Sequence, residues 1–157
     1  MKFIQYTALF AALLVLQIVV LPFFAIFNIV PDAVLIGLIY LAMREGGVAA
    51  MFTALAVGFL RDAFTSHFLG AYMLSYVVAA FLAGALFKFR EKLSSQIQMA
   101  YLFAVLFSFQ LVYFSLYMLD QKLNLAQLIF RFSLPGAVYT LVLVAITHFL
   151  LPRGFWR

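Results

Sequence analysis

The chain has no cysteine, and only 10% of its 157 residues are charged. The first absence excludes disulfides and thiolate metal sites and leaves the compartment undecided. The second, with 68% hydrophobic residues and a mean hydropathy of +1.16, excludes a water-soluble domain. Acids number five and prolines four. With acids so scarce, one at the edge of an apolar segment must face protein or water, because a charge among acyl chains is costly. The sequence offers no Gly-rich phosphate loop, no metal-ligand cluster and no Ser or Cys nucleophile beside a matched base, so no catalytic, cofactor or metal residue is assigned.

What is there is apolar sequence in continuous rather than alternating runs, which in lipid means helices rather than a closed barrel. Six segments are predicted. The first covers about residues 3–24, with Pro22 bending or ending it. It carries no small-x-small cleavage site and is expected to stay as a helix, not to be removed as a signal peptide. The second, 33–43, opens with Pro31-Asp32, a helix-start signal. Arg44-Glu45-Gly46-Gly47 separates it from the third, 48–60, which is expected to stop at Arg61-Asp62. The fourth, 68–87, is closed by Lys88, Arg90, Glu91 and Lys92. The fifth, 98–119, is preceded by Ser94 and Ser95 as possible caps, and the sixth, 133–151, has Pro135 in its first turn. Between them, residues 120–131 alternate Leu123, Leu125, Leu128 and Ile129 with polar groups, the pattern of a short amphipathic helix on the outer interface. No loop is long enough to form a second domain, so residues 1–157 read as one all-α integral membrane bundle of six transmembrane helices.

Segments two and three are short for a span, which usually needs about 20 residues. Charge decides between fusing them and keeping both. With six spans and a cytoplasmic N-terminus, the inner side holds seven cations (Lys2, Arg44, Lys88, Arg90, Lys92, Arg153, Arg157) and the outer side three (Arg61, Lys122, Arg131). That is the positive-inside bias, and it puts both termini in the cytoplasm. Fusion would reverse the Lys88–Lys92 cluster and bury Arg44 and Glu45 in mid-membrane. The cations therefore orient helices; no nucleic-acid partner is expected.

Two rows of small residues stand out. Gly46, Ala50, Ala54 and Gly58 recur every fourth position and lead to Asp62; Ala71, Ser75, Ala79 and Ala83 do the same on the next helix, with Ala80 and Gly84 alongside. Where no hydrophobic effect draws helices together, small residues let backbones approach, so the third and fourth helices are expected to pair tightly and antiparallel. The same rows are alternatively a seat for a partner's membrane helix. Asp62 and His67 flank the connecting loop with Arg61 beside them, but no third ligand lies near, and His148 falls at the other face. Capping of helix starts is the simpler role for both Asp62 and Asp32. Gln110, Tyr113 and Tyr117 share one face of the fifth helix. They either bond neighbouring helices or, with Thr140 and Gln17, line a ligand cavity.

The order Pro31-Asp32, Arg44-Glu45-Gly46, Gly58-x-x-x-Asp62, Gly70 and Gly84 resembles the rod shape-determining protein MreD family, most clearly over residues 30–85. The family's loop commonly has a Gly four residues after the acid, where this chain has Ser66 and then His67. The resemblance implies a bacterial cytoplasmic (inner) membrane protein that associates with the single-span protein MreC. Through MreC it would join MreB, RodA and RodA's transpeptidase partner in cell elongation. It also implies a fold similar to the six-helix substrate-binding components of energy-coupling-factor vitamin transporters. Three functions follow for weighing: a non-enzymatic scaffold for wall synthesis, a small-ligand uptake component, and an intramembrane enzyme. The missing catalytic constellation weighs against the third. The few intramembrane polar residues and the short outer loops favour the first over the second.

Overall fold

The computed structural model describes residues 2–25, 30–65, 70–87, 94–117 and 128–150, and every regular element among them is helical. We label the α-helices α1 (Lys2–Val15), α2 (Ala33–Glu45), α3 (Gly47–Thr65), α4 (Ala71–Phe87), α5 (Ser95–Tyr117) and α6 (Leu134–Leu150). Among the described residues, three stretches are long and apolar enough to cross a membrane: Gln5–Phe24, Gly47–Thr65 and Gln96–Leu116. The other helices are shorter; α2, of 13 residues, rises only about 20 Å at 1.5 Å per residue.

The first segment is not one uniform helix. Pro22 has no N–H to give and crowds the turn before it. Residues Leu16–Val20 widen into a π-helical turn, Leu21–Phe24 tighten into a 3-10 turn, and the chain becomes extended at Ala25. The π turn holds Gln17, which is buried. A second π turn, Leu128–Ser133, leads into α6. It takes in the end of the stretch expected to lie on the interface; residues 120–127 of that stretch fall outside the described ones.

The third helix corrects the sequence reading at both ends. It begins at Gly47 and runs through Arg61 and Asp62 to Thr65, instead of stopping at Leu60. The charges do not end it because both side chains find partners inside the protein. Arg61, expected from the sequence to be an outer-loop cation, is 7% exposed and belongs to the core. Gly46 is also not part of the packing row. It sits between α2 and α3 at φ +98°, with open space where a Cβ would project, and serves as the one-residue break between the two helices. The chain reverses there, and the start of α2 comes to lie against the end of α3.

α3 and α4 make the most extensive helix contact. At one end Gly47 meets Gly84 backbone to backbone: a Cβ on Gly84 would lie 2.3 Å from the Gly47 Cα. At the other, a Cβ on Gly58 would lie 2.5 Å from the Met73 Cα. Eleven residues separate the two contact points on each helix, so the pair stays in antiparallel register along its length. Ala50 and Ala54 are fully buried on α3, and Ser75, Ala79, Ala80 and Ala83 on α4, with Ala71 nearly so. Small side chains make this closeness possible, and dispersion across the shared surface stabilises it. α2 packs on both α3 and α4, α5 packs on α4, α6 on α5, and α1 lies mainly against α2.

Candidate functional site

Several buried polar residues of this apolar chain converge where α2 begins, α3 ends and α4 begins. Asp32 is the N-cap of α2: its backbone is extended, and Oδ1 accepts from the Leu35 amide at 2.9 Å. The same carboxylate pairs with the Arg61 guanidinium and accepts from the Tyr76 hydroxyl at 2.9 and 3.0 Å. Arg61 also bonds the Tyr76 hydroxyl and sits over the Tyr72 ring, 3.8 Å from its centroid. Asp32 and Tyr76 are 3% and 0% exposed, so the pair is held away from solvent as well as lipid.

Two charges taken out of water attract strongly, but desolvation offsets much of the gain. The added donors from Leu35 and Tyr76 are what leave few lone pairs of the carboxylate unserved. Aromatic faces supply the rest of the surroundings. Tyr72 stacks on Tyr113 of α5 at 4.4 Å, and Tyr76 stacks on Phe109 at 5.1 Å. One guanidinium thus connects α2, α3 and α4, and its aromatic shell reaches α5.

Asp62 follows Arg61 but points about 100° away around the helix. Its Oδ2 accepts from the Gly70 and Met73 amides and its Oδ1 from the Tyr72 amide, each at 3.0 Å. Three of the orphan N–H groups at the start of α4 are satisfied by one carboxylate, which the helix dipole also favours. Gly70, at φ +103°, makes the entry into α4. Gln17 forms the remaining tie: its Nε2 donates to the Pro31 carbonyl at 3.0 Å, and its Oε1 accepts from the Ala33 amide at 2.8 Å. It clamps the backbone on both sides of Asp32. Tyr139 of α6 donates to the Phe24 carbonyl at 2.8 Å, so the last helix is fastened to the end of the first segment.

At the opposite end of α2, Arg44 donates to the Tyr40 hydroxyl and Glu45 accepts from Tyr6 at 2.7 Å; both are exposed. Gln110 is buried with its amide against Gly136, and Thr140 donates to the Gly136 carbonyl in its own helix. Gln110 and Thr140 thus both lie at Gly136, whereas Gln17 is bonded to the backbone beside Asp32. Among the described residues no group of three His, Asp or Glu side chains is placed to hold a metal. Ser66, His67 and the side chains of Tyr117 and His148 lie outside the described residues.

Sequence reasoning did not pair Arg61 with Asp32, and did not single out Tyr72 and Tyr76. A signal existed: opposite charges inside apolar segments seek each other, and two tyrosines four apart share a helix face. The sequence offers Gln17 only as a cavity residue, because its partners are backbone atoms that no side-chain pattern announces.

The sequence model of the rod shape-determining protein MreD matches residues 1–153. The chain belongs to the MreD family. Nearly its whole length is covered, so the helix bundle and its polar ties are those of an MreD protein, with a role in rod shape determination. No curated protein and no solved structure matches the chain. The family is one of shape-determining proteins, and the three apolar helices among the described residues accord with a membrane protein.

Proposed function

We propose that this MreD protein is a six-span, non-enzymatic scaffold in the bacterial inner membrane, with both termini in the cytoplasm. It holds an MreC-type single-span partner and, through it, MreB, RodA and RodA's transpeptidase partner, in support of lateral peptidoglycan synthesis. The family match over residues 1–153 carries this reading. The fate of the polar groups supports it. Asp32, Arg61, Asp62 and Gln17 are engaged with other parts of the bundle, which suits a rigid framework. Uptake of a small ligand calls for convergent polar groups in one cavity. The bundle is proposed to share its fold with the substrate-binding components of energy-coupling-factor transporters, without their ligand chemistry. Depleting the protein tests the reading: cells should widen and round while the MreC-type partner loses its place in the elongation machinery. Loss of vitamin uptake with unchanged shape would contradict it.

A further inference from the structure

α1 and α3 both pack on α2 but touch each other little, and a groove of about 720 Å³ lies between them, open on one side. Along α3 it runs from Ala49 to Leu60, about 16 Å at 1.5 Å per residue, which is roughly half the hydrocarbon thickness. Leu41 of α2 forms part of its floor. Its walls carry Thr7 and Ala11 on α1 and Thr53 and Ala56 on α3, pairs three or four residues apart set between the larger side chains of Phe10, Leu14, Phe52 and Leu60. The Thr53 hydroxyl is turned back to its own Ala49 carbonyl, so the wall presents apolar surface there. At one mouth stands the exposed carboxylate of Glu45.

Resting on the scaffold reading and its sidedness, we infer that this groove seats the cytoplasmic half of a single-span partner's membrane helix. The Ala and Thr positions leave gaps between the larger side chains where a helix backbone can approach, as in other membrane helix pairs. The charge at the mouth selects the occupant. A single-span protein with a cytoplasmic N-terminus carries Lys or Arg where its helix meets the cytoplasm, and this is the depth of Glu45. An inner-leaflet phospholipid would set its phosphate beside the same carboxylate, like charge against like. Arg44, next in sequence, is bonded to Tyr40 and is not part of the lining.

The chain has no cysteine, so single cysteines report cleanly. The test uses the full chain in native membranes with a co-expressed MreC-type partner bearing cysteines along its span. Thr53→Cys should cross-link to the partner, and Phe81→Cys, on an exposed part of α4, should not. Ala56→Trp should lower co-purified partner roughly tenfold at unchanged melting temperature. Glu45→Gln, which keeps an acceptor for Tyr6, should lower it about two- to five-fold. Should Ala56→Trp fold poorly, the cross-links and Glu45→Gln decide alone. Cross-links from Phe81→Cys with none from Thr53→Cys, or full capture by Glu45→Gln and Ala56→Trp, would overturn the groove and leave the scaffold standing. A photoreactive group at Thr53 that labels only phospholipid would make this a lipid site instead. Wild-type protein that captures no partner would end both readings.

Discussion

Arg61 sits over the ring of Tyr72 while its charge is spent on Asp32, 29 residues earlier in the chain. A cation that the sequence places beside a loop is therefore an internal fastener of α2, α3 and α4. Its removal should be costly in a way that loss of a surface charge is not. Arg61→Ala leaves the Asp32 carboxylate buried without its counter-charge and should cost about 3–5 kcal/mol. Arg61→Lys keeps the charge but not the flat stacking surface, and should cost about 0.5–2 kcal/mol. Thermal melting of purified protein in one detergent gives the order. Equal melting for wild type and Arg61→Ala would show that the pair contributes nothing.

Asp62 makes a sharper prediction than capping alone allows. Both of its oxygens are used, one by two amides and the other by Tyr72 N–H. An Asn side chain has a single acceptor, so one amide must then face an NH2 group. Asp62→Asn should cost about 1–3 kcal/mol, and Asp62→Leu more, since all three amides lose their acceptor. The two variants, compared by melting, should fall in that order below wild type. Loss of the MreC-type partner in Asp62→Asn with unchanged melting would instead make Asp62 an interface residue.

The α3–α4 contact should reject even one methyl group. Gly84→Ala and Gly58→Ala each push a Cβ into the opposing backbone, which cannot swing aside as a side chain can, and each should cost about 1–3 kcal/mol. Ala54→Leu and Ala79→Leu should lower folded yield for the same reason. Gly46→Ala meets no neighbour, yet holds a backbone conformation open to little but glycine, and should cost about 1–3 kcal/mol by strain alone. Yield and melting measured across the set separate crowding from strain. Near-normal values for Gly84→Ala would mean that the helices stand further apart.

The proposed sidedness rests on the cation count, and a buried Arg61 drops out of the outer set, which widens the expected bias. Cysteines placed in the Lys88–Lys92 stretch should react with membrane-impermeant reagents only from the cytoplasmic side. Labelling from outside would reverse the topology and, with it, the position of Glu45 at the inner face.

Much of the bundle was legible in the sequence. Apolar runs gave the helices, Pro31-Asp32 gave the start of α2, and the small-residue rows gave the α3–α4 pair. What was missed has physical reasons. Arg61-Asp62 looks like a helix stop only if charges must leave the membrane, and here each is satisfied within the fold. Gly46 and Gly47 are adjacent and alike in sequence; backbone conformation alone assigns one to the break and the other to the contact with Gly84. Gln17 acts on backbone groups made available by a π turn, and side-chain periodicity carries no record of that.

The scaffold account is tested most directly by co-purification of the wild-type protein from native membranes, with the captured proteins identified by mass spectrometry. The account predicts a single-span, coiled-coil partner of the MreC type, retained with components of the wall-synthesis machinery. Capture of an ATPase module in its place would contradict it and assign the bundle to transport.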